Sequence, residues 1–160
     1  MQYLYCMKVR YQSNLTFDID IDEQLLAEQI PKLVIQPIVE NALKYSTDAC
    51  SPPWHVSIIG TVHDDYWQID VIDSGNGFDE KSIALINQRI EESSQNPGLP
   101  DMKIDGMGIL NVYLRWKYFC KDDIIFSYGN TTDGHGIVSL GRKQPLKSNN
   151  YSLESEENNG

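Results

Sequence analysis

The fourteen residues from Leu33 to Ser46, LVIQPIVENALKYS, admit one regular conformation. Val34, Ile35, Ile38, Val39, Ala42 and Leu43 recur at spacings of one, three and four, which winds them into a single stripe along a helix. A stripe that wide has to be covered, so the chain needs a second layer to lay against it. The other side of the helix keeps Gln36, Glu40, Asn41 and Lys44. That side is either an ordinary solvated face or an edge that presents an amide, a carboxylate and an amine to a ligand.

The covering layer is written with a period of two. Leu15, Phe17, Ile19 and Ile21 alternate with Thr16, Asp18, Asp20 and Asp22, the pattern of a strand with one buried face. Two further strands, His55 to Val62 and Trp67 to Asp73, are separated only by His63–Asp64–Asp65–Tyr66, and so short a connection favours an antiparallel pair. A last pair, Asp123 to Tyr128 and Gly136 to Leu140, flanks the turn-rich stretch Gly129 to Gly134.

Around these strands lie helical segments. Residues 1–13 carry Tyr3, Leu4, Met7 and Tyr11 and read as the last turns of a helix. Asp22 to Gln29 is a short helix or loop, and Ile30–Pro31 is expected to set the start of the central helix, which should end near Ser46. Pro52–Pro53 then breaks the chain. Asp79 is placed to cap a helix through Ser82, Ile83, Leu85, Ile86 and Ile90. Residues 91–105, polar and holding Pro97, Gly98 and Pro100, read as a mobile loop. Gly106–Met107–Gly108 opens the last helix, and beyond Arg142 the tail is expected to be disordered. Together these give an α/β two-layer sandwich, with about three helices on one face of a mixed, mostly antiparallel sheet.

At 160 residues the chain has room for one core and not for two. A net charge of −10 argues against a surface built for duplex DNA or an anionic membrane, since both call for a basic footprint. Cys6, Cys50 and Cys120 are odd in number and lack C-x-x-C spacing, which suggests neither a disulfide framework nor a zinc site and fits a reducing compartment. No run approaches the ~20 apolar residues of a membrane span.

The chemistry-bearing residues gather at a few points. Gly75 and Gly77 follow a strand, and Gly106 and Gly108 precede a helix; each pair either makes a tight turn or frees backbone N–H groups to face an anion. Neither pair fits G-x-x-x-x-G-K-[ST] or G-x-G-x-x-G. Asp73, ending a strand at the first glycine turn, can accept a hydrogen bond from an exocyclic amine or cap its own turn. Asn41 and Lys44 share a helix face, where an amide oxygen suits magnesium and an amine suits phosphate. Glu40 could polarise a nucleophile, support a metal from the second shell of contacts, or simply be solvated.

The order QPIVENALKYS, VIDSGNGFD, GMGILNVYLRWKYF and a closing strand after GHG resembles the ATP-binding catalytic domain of sensor histidine kinases. This is the Bergerat fold, shared with gyrase and heat-shock chaperone ATPases, and within it the sequence is similar to the LytS/YesM-like group. The resemblance covers roughly residues 3–142. It implies residues 1–13 as the end of an upstream dimerisation helix, 14–142 as the catalytic domain with an ATP lid at 91–107, and 143–160 as a disordered acidic tail. It implies Asn41 as the magnesium ligand, Lys44 as a phosphate contact and Tyr45 as a border of the nucleotide. Asp73 would bind the adenine amine, Gly75 and Gly77 would shape the adenine end, and Gly106 and Gly108 would hinge the lid. Ile109 and Asn111 lie in the last glycine motif and Gly136 in that of the closing strand.

The activity so implied is transfer of the γ-phosphate of Mg-ATP to a phosphoacceptor histidine on another domain, for relay to a response regulator. The whole protein would be a homodimeric bacterial sensor anchored in the inner membrane, with this part cytoplasmic and touching neither membrane nor nucleic acid. Three positions depart from the family pattern. Ser74 replaces the usual Asn of D-N-G-x-G, Trp116 replaces a leucine, and GHGIVSLGR lacks the usual Gly-Thr pair. His55, His63 and His135 sit in strand or loop contexts, so none is expected to be the phosphoacceptor. The competing functions are an ATP-hydrolysing member of the same superfamily, which would carry a glutamate where Pro37 stands, and an interaction module that has lost its nucleotide.

Overall fold

The computed structural model describes residues 2–95 and 108–143. In chain order these form α1 (Gln2–Tyr11), β1 (Leu15–Ile21), α2 (Ile35–Ala49), β2 (Trp54–Val62), β3 (Trp67–Asp73), α3 (Glu80–Gln95), α4 (Gly108–Cys120), β4 (Ile124–Asn130) and β5 (Gly136–Arg142). The five strands make one sheet in the order β1-β2-β3-β5-β4. β1 runs parallel to β2, and every other neighbouring pair is antiparallel. Parallel neighbours need a crossover, and α2 provides it, which is why the apolar stripe of this helix lands on the sheet. Ile38, Val39, Ala42 and Leu43 are buried there with Val56, Ile58, Trp67 and Val71.

The alternation in the strands sorts as its period requires: Val56, Ile58 and Gly60 of β2 are buried, while the residues between them are half exposed. Trp116 of α4 is fully buried and meets Trp67 edge-on, with ring centroids 5.8 Å apart. Its indole N–H donates to the carbonyls of Gly141 (2.8 Å) and Ile125 (3.2 Å), fixing α4 to β5 and β4. The departure at Trp116 is therefore a core lock at the end of the sheet where Trp67 pairs with Arg142, whereas Asp73 ends β3 at the other extremity.

The mixed, mostly antiparallel sheet of the sequence reading is borne out; the described residues hold four α-helices, of which α1 is the helix expected over residues 1–13. The central helix starts later than expected, at Ile35. Leu33 has φ +61°, outside the right-handed helix, and Pro37 becomes the third helical residue, where its missing N–H costs no intrahelical bond. Pro37, not Pro31, sets this start. The helix also runs past Ser46 to Ala49, because nothing before Pro52–Pro53 forbids it.

The expected loop at 91–105 begins inside α3, which continues to Gln95. The hydroxyls of Ser93 and Ser94 both donate back to the carbonyl of Ile90, so these polar residues remain in the helix. The rest of the expected lid, Gly106 included, and the tail from residue 144 lie outside the described residues.

Candidate functional site

At the end of β3 the chain reverses through Ser74 to Phe78 and enters α3. Asp73 Oδ1 accepts the Gly75 N–H (2.7 Å) and lies 3.4 Å from the Ser46 hydroxyl, which donates to it from α2. The Gly75 amide is thus held inside the turn, the tight-turn reading of this glycine. A Cβ at Gly75 would fall 2.7 Å from the same oxygen, so the bond depends on glycine there. Asp73 Oδ2 accepts nothing from the described residues and faces Gly136, where a Cβ would stand 2.4 Å away. Burial raises the Asp73 pKa above its ordinary 3.8; the Gly75 amide, the Ser46 hydroxyl and the charge of His135 oppose this without cancelling it.

Ser74 takes up its place in the motif through the backbone. Its N–H donates to the carbonyl of His55 (3.0 Å) and its hydroxyl accepts the His55 N–H (2.8 Å), extending the β2–β3 pairing by one rung. A hydroxyl suffices for this, which gives the replacement of asparagine a physical reason.

Beside the turn lies a cavity of about 170 Å³. Asn41 and Tyr45 of α2, Asp73 and Gly77 of the turn and Ile109 of α4 line it. Phe78, Asp79, Ser82, Leu85 and Ile86 complete the wall and were not among the candidates read from the sequence. Helical periodicity does put Leu85 and Ile86 on the apolar side of α3, yet it cannot say what that side faces. Asp79 caps α3 by accepting the Ser82 N–H at 2.6 Å, and this bond holds its carboxyl below the ordinary range.

The remaining candidates fall outside that wall. Gly108 packs on the Asn41 amide, where a Cβ would lie 2.4 Å from Nδ2, so the last glycine motif sits directly behind Asn41. Glu40 is exposed, and its Oε1 accepts from Gln36 one turn earlier (2.8 Å). Lys44 is exposed on the same helix, and Asn111 is half buried on α4. None of these three lines the cavity. Among the described residues no three His, Cys, Asp or Glu side chains could share a metal ion. The lone amide oxygen of Asn41 suits a magnesium ion whose other ligands are phosphate and water rather than protein.

Two other features are poorer candidates. A larger hollow of about 610 Å³ between α1, the 3-10 turn Glu23–Ala27 and α2 is lined by Leu4, Leu25, Ile30 and Val39 and offers few converging polar groups. On β1 and β2, His55 Nε2 approaches both Asp18 (3.2 Å) and Ser57 (3.1 Å), while its Nδ1 meets Thr16 (2.8 Å). One nitrogen facing both partners cannot relay a proton between them, so this exposed Ser-His-Asp group lacks the geometry of a nucleophilic triad.

No family model matches the chain. It is 25% identical over 132 residues to the sensor protein LytS of Oceanobacillus iheyensis, covering 82% of this chain and 22% of that protein. It is 33% identical over 115 residues to the sensor histidine kinase YpdA of Escherichia coli K12, covering 72% and 18%. The chain thus spans about a fifth of the length of these curated relatives. The catalytic domain of the histidine kinase ThkA superposes with a TM-score of 0.55 at 14% identity, covering 89% of each chain. Full-length ShkA gives the same score and identity over 91% of this chain and 29% of its own. No helix among the described residues is long and apolar enough to cross a membrane. The chain shares the fold of histidine kinase catalytic domains, and in sequence it is similar to the sensor histidine kinases over about a fifth of their length.

Proposed function

We propose that this chain is the ATP-binding catalytic part of a sensor histidine kinase, binding Mg-ATP and passing its γ-phosphoryl group to a histidine on a domain outside the chain. A response regulator would receive the group in turn, and the whole protein would be a dimeric sensor held at a membrane with this part on the cytoplasmic side. One observation carries the reading: Asn41, Asp73 with Gly77, and Ile109 come from three motifs far apart in sequence and line a single cavity.

The cavity is smaller than the ~300–1,000 Å³ typical of whole-ligand pockets, which suits it to the base alone. Asp73 Oδ2 is the acceptor there for the exocyclic amine of adenine. A base offering a carbonyl instead would lose that bond, a discrimination of roughly 1–3 kcal/mol. Asn41 would hold the magnesium ion and Lys44 would contact phosphate; once bound, the ion supplies neutralisation of phosphate charge. The protein's own contribution is to orient the nucleotide and hold charge in place, which is most of what phosphoryl transfer asks of an enzyme. ShkA, which shares the fold, has been crystallised in complex with AMPPNP.

His55 lies on β2, His63 between β2 and β3, and His135 in the connection just before β5, so this chain should bind nucleotide without phosphorylating itself. Pro37 offers no base one turn before Asn41, which disfavours steady hydrolysis. Calorimetry with ATP, with and without magnesium, tests the assignment. Magnesium-dependent binding that Asp73→Asn abolishes is the expected result. No binding at millimolar ATP refutes it.

A further inference from the structure

The wall of the cavity that carries Gly77 and Phe78 belongs to no helix or strand, yet it is held from beneath by the β4–β5 hairpin. Asn130, the last residue of β4, grips the backbone of Phe78 with both ends of its amide. Its Oδ1 accepts the Phe78 N–H at 2.6 Å, and its Nδ2 donates to the Phe78 carbonyl at 2.9 Å. This is the pairing that a neighbouring strand would make, supplied by a side chain.

Three more contacts converge on the same turn. Gly77 has φ +70°, and a Cβ there would lie 2.3 Å from Asn130 Oδ1 and 2.6 Å from the carbonyl oxygen of Gly134, so the hairpin seats directly against it. His135 Nδ1 lies 3.0 Å from the Gly75 carbonyl, which can accept its proton, and Gly136 packs on Asp73 Oδ2. Tyr128, two residues before Asn130, donates to Asn87 Oδ1 of α3. Since Asp79 caps α3 immediately after Phe78, fixing Phe78 also fixes where α3 begins, and with it Ser82, Leu85 and Ile86 on the cavity wall.

We propose that Asn130 is a positioning residue for the base subsite, acting through the Phe78 backbone to hold the Gly75–Phe78 turn and the start of α3 in their binding geometry. The inference rests on the nucleotide reading above. It adds a residue that touches no ligand, since Asn130 does not line the cavity. It also gives the second glycine of the motif a distinct reason: Gly77 makes room for the hairpin.

The test compares the unaltered chain with Asn130→Ala, using adenosine and Mg-ADP as probes and amide exchange measured by NMR without nucleotide. Loss of the grip should weaken adenosine and Mg-ADP by a similar factor, at least about ten-fold, because only the base end is disturbed. The Phe78 amide should exchange at least about ten times faster, with the amides of central strand β3 unchanged. Asn41→Ala should instead weaken Mg-ADP by a larger factor than adenosine, because the metal contact is lost as well as a part of the wall. Unchanged nucleotide affinity in Asn130→Ala, or faster exchange spread equally through β3, would overturn the positioning role. Failure of the unaltered chain to bind either probe would instead remove the nucleotide reading, a result visible before any variant is made.

Discussion

Asp73 is held by opposing demands. Its Oδ1 is tied into the turn by Gly75 and Ser46, while Oδ2 stays unpaired within the described residues, and burial raises its pKa above 3.8. A raised carboxyl pKa means that the fold favours the protonated form. That stabilisation is fully present below about pH 3.8 and is lost as pH rises through the raised value. Asp73→Asn, neutral at every pH, should therefore make the nucleotide-free protein more stable than the unaltered chain at pH 7. The gap should narrow as pH falls toward 4. Thermal unfolding of both proteins across that range checks the sign; a gap that widens on acidification would contradict it. The motif alone marks Asp73, Asn41 and Gly77. It does not mark Ser46, Asn130 or His135, which reach the site through α2 packing and β4–β5 pairing and carry no local signal of their own.

Elements differ in how much of themselves the sequence reveals. β3 is legible to the residue, because the alternation of WQIDVID starts after a charged turn and stops at a serine-glycine turn. Helix ends are less so. α2 begins two residues later and ends three residues later than the stretch Leu33 to Ser46 predicts, since a single proline can begin a helix or precede one, and Thr47 and Asp48 are only weak breakers. α3 hides its last turn behind serines that bond back to Ile90. α4 shows its apolar residues plainly but not the bond that fixes it, the Trp116 indole shared between Gly141 and Ile125. Trp116→Ala should cost about 3–5 kcal/mol, from lost burial and a residual cavity. Urea unfolding measures it as a fall in midpoint with an unchanged slope. A loss below about 1 kcal/mol would mean that α4 is held elsewhere.

For the molecule as a whole, the two-layer arrangement followed from periodicity, but the strand order β1-β2-β3-β5-β4 did not, because alternation says which face is buried and nothing about which strand lies beside which. That order has a kinetic consequence. β2 and β3 are joined by a tight connection, whereas β3 finds β5 only when Trp67 meets Arg142 across two intervening helices. Closing so long a loop is slow, and little rewards it until the pairing is complete. Gly136 reaches Asp73, and Asn130 reaches Phe78, only once β5 is in place. In stopped-flow refolding, capture of a fluorescent adenine nucleotide should therefore appear no earlier than the slowest tryptophan phase, and a capture phase that precedes it would contradict this order. A chain arrested before that step would hold most of its helices and its first hairpin and still have no base pocket, which makes nucleotide capture a report on the last contact to form.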